Sequence, residues 1–319
     1  MPAMTGRLRP SLLFLSLLLA VQPVSGQTRQ DGPLSLELFP STSAAAMGGA
    51  FQLSDSSSDA VFYNPSLLGN AARFGISGTT FDSESTSLTM SASTGWWGGG
   101  VGLGLQTLSY STDALGVRAI LDDEADLLTS GARVASEWVA TVGYGRTLGL
   151  VSMGVSAKAV EMRLAGAKDL TGAVDVGTSI QVGRYRSDAG LPSAFTLGLG
   201  VQNLGPDLEL EGSTLGLAHR VTAGASFQRW LVGPFDLGAS AALSREADGA
   251  WIPALGGEVA WWPVTGRTFT GWIGVRRVDG PSKRVTFGGA FRRDALGIEY
   301  AFQGFDTFGG AHRFGISWR

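Results

Sequence analysis

The 319-residue chain has no cysteine, which excludes disulfides, thiolate chemistry and lipoprotein processing. It has two histidines, His219 and His312, so a two-His metal site or a Ser–His hydrolase site would have to be built on these alone. Neither has an acidic neighbour at ligand spacing, and solvated rim positions are the simpler reading. Charged residues make up 16% of the chain, against about 25% in an ordinary soluble domain. Long hydrophobic runs are also missing, since beyond the N-terminus no segment approaches the roughly 18 apolar residues of a spanning helix. Despite 47 glycines there is no Gly-x-Gly-x-x-Gly fingerprint, and no Gly-x-Ser-x-Gly elbow. No catalytic residue, metal site or cofactor is expected.

What is present begins with a secretory signal. Arg7 and Arg9 precede an apolar core from Ser11 to Val21, and Val24-Ser25-Gly26 offers a cleavage site before Gln27. Removing residues 1–26 takes away two arginines and no acids, moving the net charge from −3 to −5. A mildly acidic mature chain argues against a nucleic-acid partner.

The dominant pattern is alternation of apolar with small or polar residues in runs of about ten, as in 101–106, 195–202 and 296–303. Successive strand residues face opposite sides, so each run has one apolar and one hydrophilic face. Strands that cross a bilayer need about 9–11 residues, apolar toward lipid and polar toward the lumen. Fourteen such runs are expected, over 72–80, 86–94, 99–110, 134–147, 150–162, 172–184, 194–203, 220–229, 235–244, 251–262, 268–277, 284–291, 295–303 and 312–318. With the first strand running outward, short links fall on the inner side. The two longest, 111–133 and 204–219, fall on the outer side, as in bacterial barrels. The acidic run Asp122-Asp123-Glu124-Ala125-Asp126 lies in the longer one, where a solvated loop is simpler than a weak calcium site. The expected fold is therefore all-β, a transmembrane antiparallel barrel of about 14 strands.

Eight of the nine tryptophans fall near the ends of these runs, as an interfacial aromatic girdle requires. Trp96, Trp97, Trp230, Trp261, Trp262 and Trp318 belong to the inner rim, and Trp138 and Trp251 to the outer. Trp272 is the exception, mid-strand on the face of Thr270, Gly274 and Arg276. Charges within the runs, Lys158, Asp175, Glu258 and Glu299, share the small-polar face. A lipid-facing Arg or Lys near the midplane would cost about 2–4 kcal/mol.

Residues 27–71 lack sustained alternation. Asn64 followed by Pro65 reads as an N-cap with proline at the first helical position, predicting a short helical turn through Leu67 and Leu68. Too small and apolar to fold alone, the segment is expected to bury itself in the lumen as a plug, dividing the chain into 1–26, 27–71 and the barrel 72–319.

The order Ala46-Met47-Gly48-Gly49-Ala50-Phe51, an Asp-rich spacer, Asp59-Ala60 and Asn64-Pro65-Ser66-Leu67-Leu68 resembles the N-terminal signature of the PorV/PorQ family. Stretches 201–206, 257–264 and 286–318 are similar to the same family. The resemblance implies a FadL-like barrel with an N-terminal plug in the outer membrane of a Gram-negative-type bacterium. Its motif residues here are Met47, Gly48, Gly49, Asp59, Asn64 and Pro65. It implies a non-enzymatic role, linked to type IX secretion and to docking of secreted proteins or secretion-machinery subunits, in contact with outer-membrane lipid. The alternative it carries is FadL-like passage of hydrophobic small molecules such as fatty acids. A lumen crowded with small and charged residues would favour docking, and an apolar pocket between residues 40–70 and the wall would favour passage.

Overall fold

The computed structural model describes residues 32–50, 57–69, 71–82, 85–110, 135–164, 166–186, 192–210, 212–277, 282–305 and 309–319. The expected signal peptide 1–26, Phe51, the expected loop 111–133 and its acidic run lie outside these. Residues 73–109 form β1 (Arg73–Phe81), β2 (Thr86–Trp96) and β3 (Gly99–Ser109). Then come β4 (Ala135–Leu148), β5 (Val151–Leu164), β6 (Ala167–Arg186) and β7 (Pro192–Leu204). A small hairpin, β8 (Leu208–Leu210) and β9 (Ser213–Leu215), separates them from β10 (Arg220–Val232) and β11 (Phe235–Arg245). The chain ends with β12 (Trp251–Val264), β13 (Arg267–Arg276), β14 (Ser282–Arg293), β15 (Leu296–Phe305) and β16 (Gly310–Trp318).

All fourteen long strands pair antiparallel with their neighbours, and β1 closes on β16 with Phe74 opposite Trp318 and Phe81 opposite Ala311. The pairing of first with last leaves no free edge, which is what an unhydrated surround demands. Short turns, such as Gly149-Leu150, lie at one end of the barrel, and the other end carries the long links between β3 and β4 and between β7 and β10 along with the short link 165–166. These are called the turn end and the loop end below.

The alternation sorts side chains as the pleat requires. Leu103, Val142, Met153, Val155, Leu255, Ile273, Phe287 and Phe314 are exposed on the outside. Inward positions are small: Ser87, Thr89, Ser91 and Ser93 on β2 are all buried, and Gly100, Gly102 and Gly104 follow on β3. Trp96, Trp97, Trp230, Trp261 and Trp318 are exposed at the turn end and Trp251 at the loop end. Trp272 is buried and faces inward.

The space that the small inner face leaves is occupied by the chain's own N-terminal segment. It contains 3-10 turns at Leu34–Leu36, Ser58–Phe62 and Pro65–Leu67, and a five-residue α-helix at Thr42–Ala46. Pro65–Leu67 is the turn expected after Asn64, with Leu68 as its C-cap rather than a member. Three differences from the sequence reading concern length and extra elements. β6 begins at Ala167, because the polar stretch 167–171 continues the ladder with β5 past the expected start at 172. The link 204–219 holds the hairpin β8–β9, and the alanine-rich run 42–46 is helical.

Candidate functional site

The segment is fixed at three levels. Near the loop end, Glu137 on β4 accepts the backbone N–H groups of Leu34 at 3.1 Å and Ser35 at 2.7 Å. A carboxylate at the start of a helical turn satisfies donors that the turn itself cannot. Tyr110 also donates to Glu137, and Gln106 Nε2 donates to the Ser35 carbonyl at 3.3 Å. Burial, together with the adjacent Glu137 carboxylate, pushes the Tyr110 phenol above the ordinary tyrosine range.

Helix Thr42–Ala46 starts at Ser41, whose Oγ accepts the Ala44 N–H at 3.0 Å. Its alanines pack with Phe39 and Met47 against Trp272 and Ala301. Thr286 Oγ1 donates to the Ala46 carbonyl at 2.8 Å. Arg313 donates to the Phe39 carbonyl, and also to Thr89 Oγ1 at 2.9 Å and Ser77 Oγ at 3.2 Å. The helix ends on Gly48 and Gly49, with φ of 62° and 84°. Two successive left-handed residues without Cβ turn the chain sharply back. Met47 is buried, its backbone lying where a Cβ on Gly274 would stand.

On a separate arc of the wall, Ser91 Oγ on β2 donates to Asp59 Oδ1 at 2.5 Å. Asn64 caps the turn at Pro65 and accepts from the Ser66 N–H at 3.3 Å and Ser66 Oγ at 2.7 Å. Ser66 Oγ in turn reaches Ser179 Oγ at 3.1 Å. A Cβ on Gly145 or Gly154 would overlap Pro65, and one on Gly177 would overlap Asn64. The motif residues thus fall in two groups. Met47 and Gly48 lie against β12 and β13 and Gly49 against the Phe39 ring, whereas Asn64 and Pro65 lie against β4–β6, with Asp59 beside β2.

Two arrangements go beyond the sequence reading, a hairpin it did not expect and a pairing of inward charges it did not match. The first is the hairpin, whose Leu208, Leu210 and Leu215 join Leu217, Leu36, Val139 and Val160 in one buried apolar cluster. This places residues 204–219 as a lid over β4–β6 at the loop end. The second is an inward ion pair, Lys158 to Asp175 at 2.7 Å, with Lys158 Nζ also donating to the Phe62 carbonyl at 3.1 Å. His219 donates its backbone N–H to the Leu217 carbonyl. His312 faces outward, its Nδ1 3.0 Å from Tyr300 Oη.

A cavity of about 470 Å³ remains inside at the turn end. Asp59, Arg73, Glu258, Trp272, Arg292 and Glu299 contribute to its lining. Trp272 Nε1 donates to Glu258 Oε2 at 2.6 Å, and Ser317 Oγ to Glu299 Oε1 at 2.8 Å. An apolar hollow of about 510 Å³ lies elsewhere, on the outward wall among Phe227, Trp230, Leu237, Gly257, Gly271 and Ile273. The turn-end cavity therefore carries several charged groups among apolar ones, whereas the leucine cluster at the hairpin is apolar throughout.

No family model and no curated protein matches this chain. Solved structures do. The Ralstonia pickettii toluene transporter TbuX is similar at a TM-score of 0.55 and 12% identity, over 90% of this chain and 99% of that one. A TodX deletion mutant, described as a monoaromatic hydrocarbon channel, is similar at 0.50 and 13% identity, over 86% and 96%. The likeness is one of fold, a closed barrel of antiparallel strands. Nothing in the likeness singles out PorV/PorQ, and both neighbours are named for transport rather than for an enzyme's activity or for secretion.

Proposed function

We propose that this protein is a non-enzymatic outer-membrane barrel that passes hydrophobic small molecules, with residues 27–71 as its plug. In this reading residues 1–26 are a cleaved signal peptide, residues 72–319 are the wall, and the turn end faces the periplasm. Met47, Gly48, Gly49, Asp59, Asn64 and Pro65 seat the plug. The observation that carries it is the leucine cluster of the lid, Leu208, Leu210, Leu215 and Leu217 packed on Leu36, Val139 and Val160. Such a mouth offers no hydrogen bonds to water or ions, and a hydrocarbon can replace one set of apolar contacts with another. At about 0.8 kcal/mol per buried CH₂, even a small hydrocarbon gains enough to compete with a leucine. The charged turn-end cavity then holds such a solute weakly and lets it go. The hydrocarbon channels that share the fold support the same reading.

The decisive measurement is uptake of radiolabelled toluene and of a fatty acid by cells expressing the protein, against a sugar control. Faster uptake of either hydrophobic solute alone is expected. Rates equal to those of cells without the protein would sink the proposal. Secretion-linked docking, with secreted proteins or secretion-machinery subunits as partners, is the second reading. The charged lining of the cavity favours it. Gentle purification that retains secreted proteins and no hydrophobic molecule would move the assignment there.

A further inference from the structure

The lid and the N-terminal segment meet at one buried polar cluster in the wall. Lys158 and Asp175 have side chains only 3% and 0% exposed. The three protons of Lys158 Nζ find three acceptors: Asp175 Oδ2 at 2.7 Å, Asn203 Oδ1 at 2.8 Å and the Phe62 carbonyl at 3.1 Å. Asp175 is equally engaged, accepting the Asn203 N–H at 2.8 Å and Ser156 Oγ at 3.2 Å. Gln202 Nε2 adds a second donor to the Phe62 carbonyl at 3.2 Å.

Asn203 stands where β7 turns into the lid. Its φ of 61° is left-handed, a conformation asparagine tolerates better than most residues. Its Nδ2 donates to the Ala218 carbonyl at 2.7 Å, closing the neck of the loop. One side chain therefore holds both ends of the lid and completes the ammonium's coordination. A brace of the wall alone would join strand to strand. This cluster reaches beyond the wall on both sides, to Phe62 of the segment and to Ala218 of the lid.

Removing one partner from a buried charge pair is far costlier than never having had it. If the lid lifts and draws Asn203 away, Lys158 loses one acceptor and Asp175 loses a donor, so the cluster that fixes Phe62 gives way. We propose that Lys158, Asp175 and Asn203 form a latch through which displacement of lid 204–219 releases the segment at Phe62. The idea rests on the plug reading above and adds the route by which mouth and plug open together. A solute that does not disturb the lid then leaves the plug seated.

The test is hydrogen exchange of the folded protein in detergent micelles, reading residues 57–68 and 204–219 separately and using no solute. Asp207→Ala removes the acceptor of the Leu217 N–H (3.2 Å), inside the lid and away from the latch. Asn203→Gly keeps the left-handed backbone and deletes both side-chain bonds. Each is expected to speed exchange in the lid and, by about fivefold or more, in 57–68 as well. Lys158→Met should speed exchange in the lid as well as in 57–68. Exchange that rises only in the lid for both Asp207→Ala and Asn203→Gly would overturn the latch. These two variants decide the matter even where Lys158→Met fails to fold. Because no transport is read, a failed uptake experiment leaves this result standing, and the reverse holds too.

Discussion

Gly154 on β5 lies against the backbone of Pro65 so closely that a single methyl group on it would overlap that residue. Gly145 on the adjacent β4 meets the same residue. The wall is thus contoured to the main chain of the segment, not only to its side chains. Overpacking of this kind costs about 1–3 kcal/mol, and the seated turn, not the hydrogen-bonded wall, is the part free to move. Gly154→Ala is therefore expected to leave barrel stability in heat-modifiability gels unchanged while proteolysis within 57–69 accelerates. Unchanged proteolysis would mean that the wall yields instead.

At the loop end the phenol of Tyr110 supplies a pH response. Burial and the Glu137 carboxylate hold its proton more tightly in the folded protein than in the free chain. A raised pKa of this sense contributes its stability fully below the ordinary tyrosine value, about 10, and loses it as pH climbs beyond. The protection factors at Leu34 and Ser35, which are exchange rates corrected for base catalysis, are expected to stay flat to about that pH and to fall above it. Glu137→Gln removes the charge that opposes ionisation, so the ultraviolet titration of Tyr110 should move downward. An unmoved titration would assign the whole effect to burial.

Leu217 is 1% exposed within the lid cluster. Leucine-to-alanine changes in packed sites cost about 2–5 kcal/mol, here borne by a loop whose opening leaves the barrel ladder intact. Leu217→Ala is expected to raise permeation of toluene several-fold with an unchanged melting temperature of the barrel. A fall in permeation would argue that the cluster guides solutes rather than blocking them.

Arg313→Met tests the middle of the segment. It deletes the donors to the Phe39 carbonyl, Thr89 and Ser77. Hydrogen bonds from charged groups contribute about 1.5–3 kcal/mol each, which exceeds what a five-residue helix can supply. Faster exchange over 39–50 is expected, with 64–68 unaffected, since Asn64 and Pro65 sit on β4–β6, away from Arg313.

The fourteen strands were legible because a bilayer-facing wall enforces the period of two at almost every position, as in 99–109 and 296–305. Turn Pro65–Leu67 was legible because Asn64 and Pro65 each carry a local backbone preference. The hairpin β8–β9 was not recognised, although Leu208-Glu209-Leu210 and Thr214-Leu215-Gly216-Leu217 alternate around Gly212 (φ 82°). Runs of three residues are too short to stand out from a polar loop. The pair Lys158–Asp175 could be placed on the inner face but not matched. Its contact depends on register, Ser156 being opposite Asp175, and on the neighbouring Asn203, which only the folded ring supplies.

The segment binds to both sides of the β1–β16 seam, through Asp59 to Ser91 on β2 and through the Phe39 carbonyl to Arg313 on β16. The Arg313 side is complete only when the last strand of the chain has paired with the first, because Arg313 also reaches Ser77 on β1 and Thr89 on β2. The stretch around Phe39, close to one end of the described chain, accordingly waits for the strand at the other end. Until that moment Arg313 cannot hold Phe39 and reach Thr89 and Ser77 together, so the alanine-rich run is seated on one flank only.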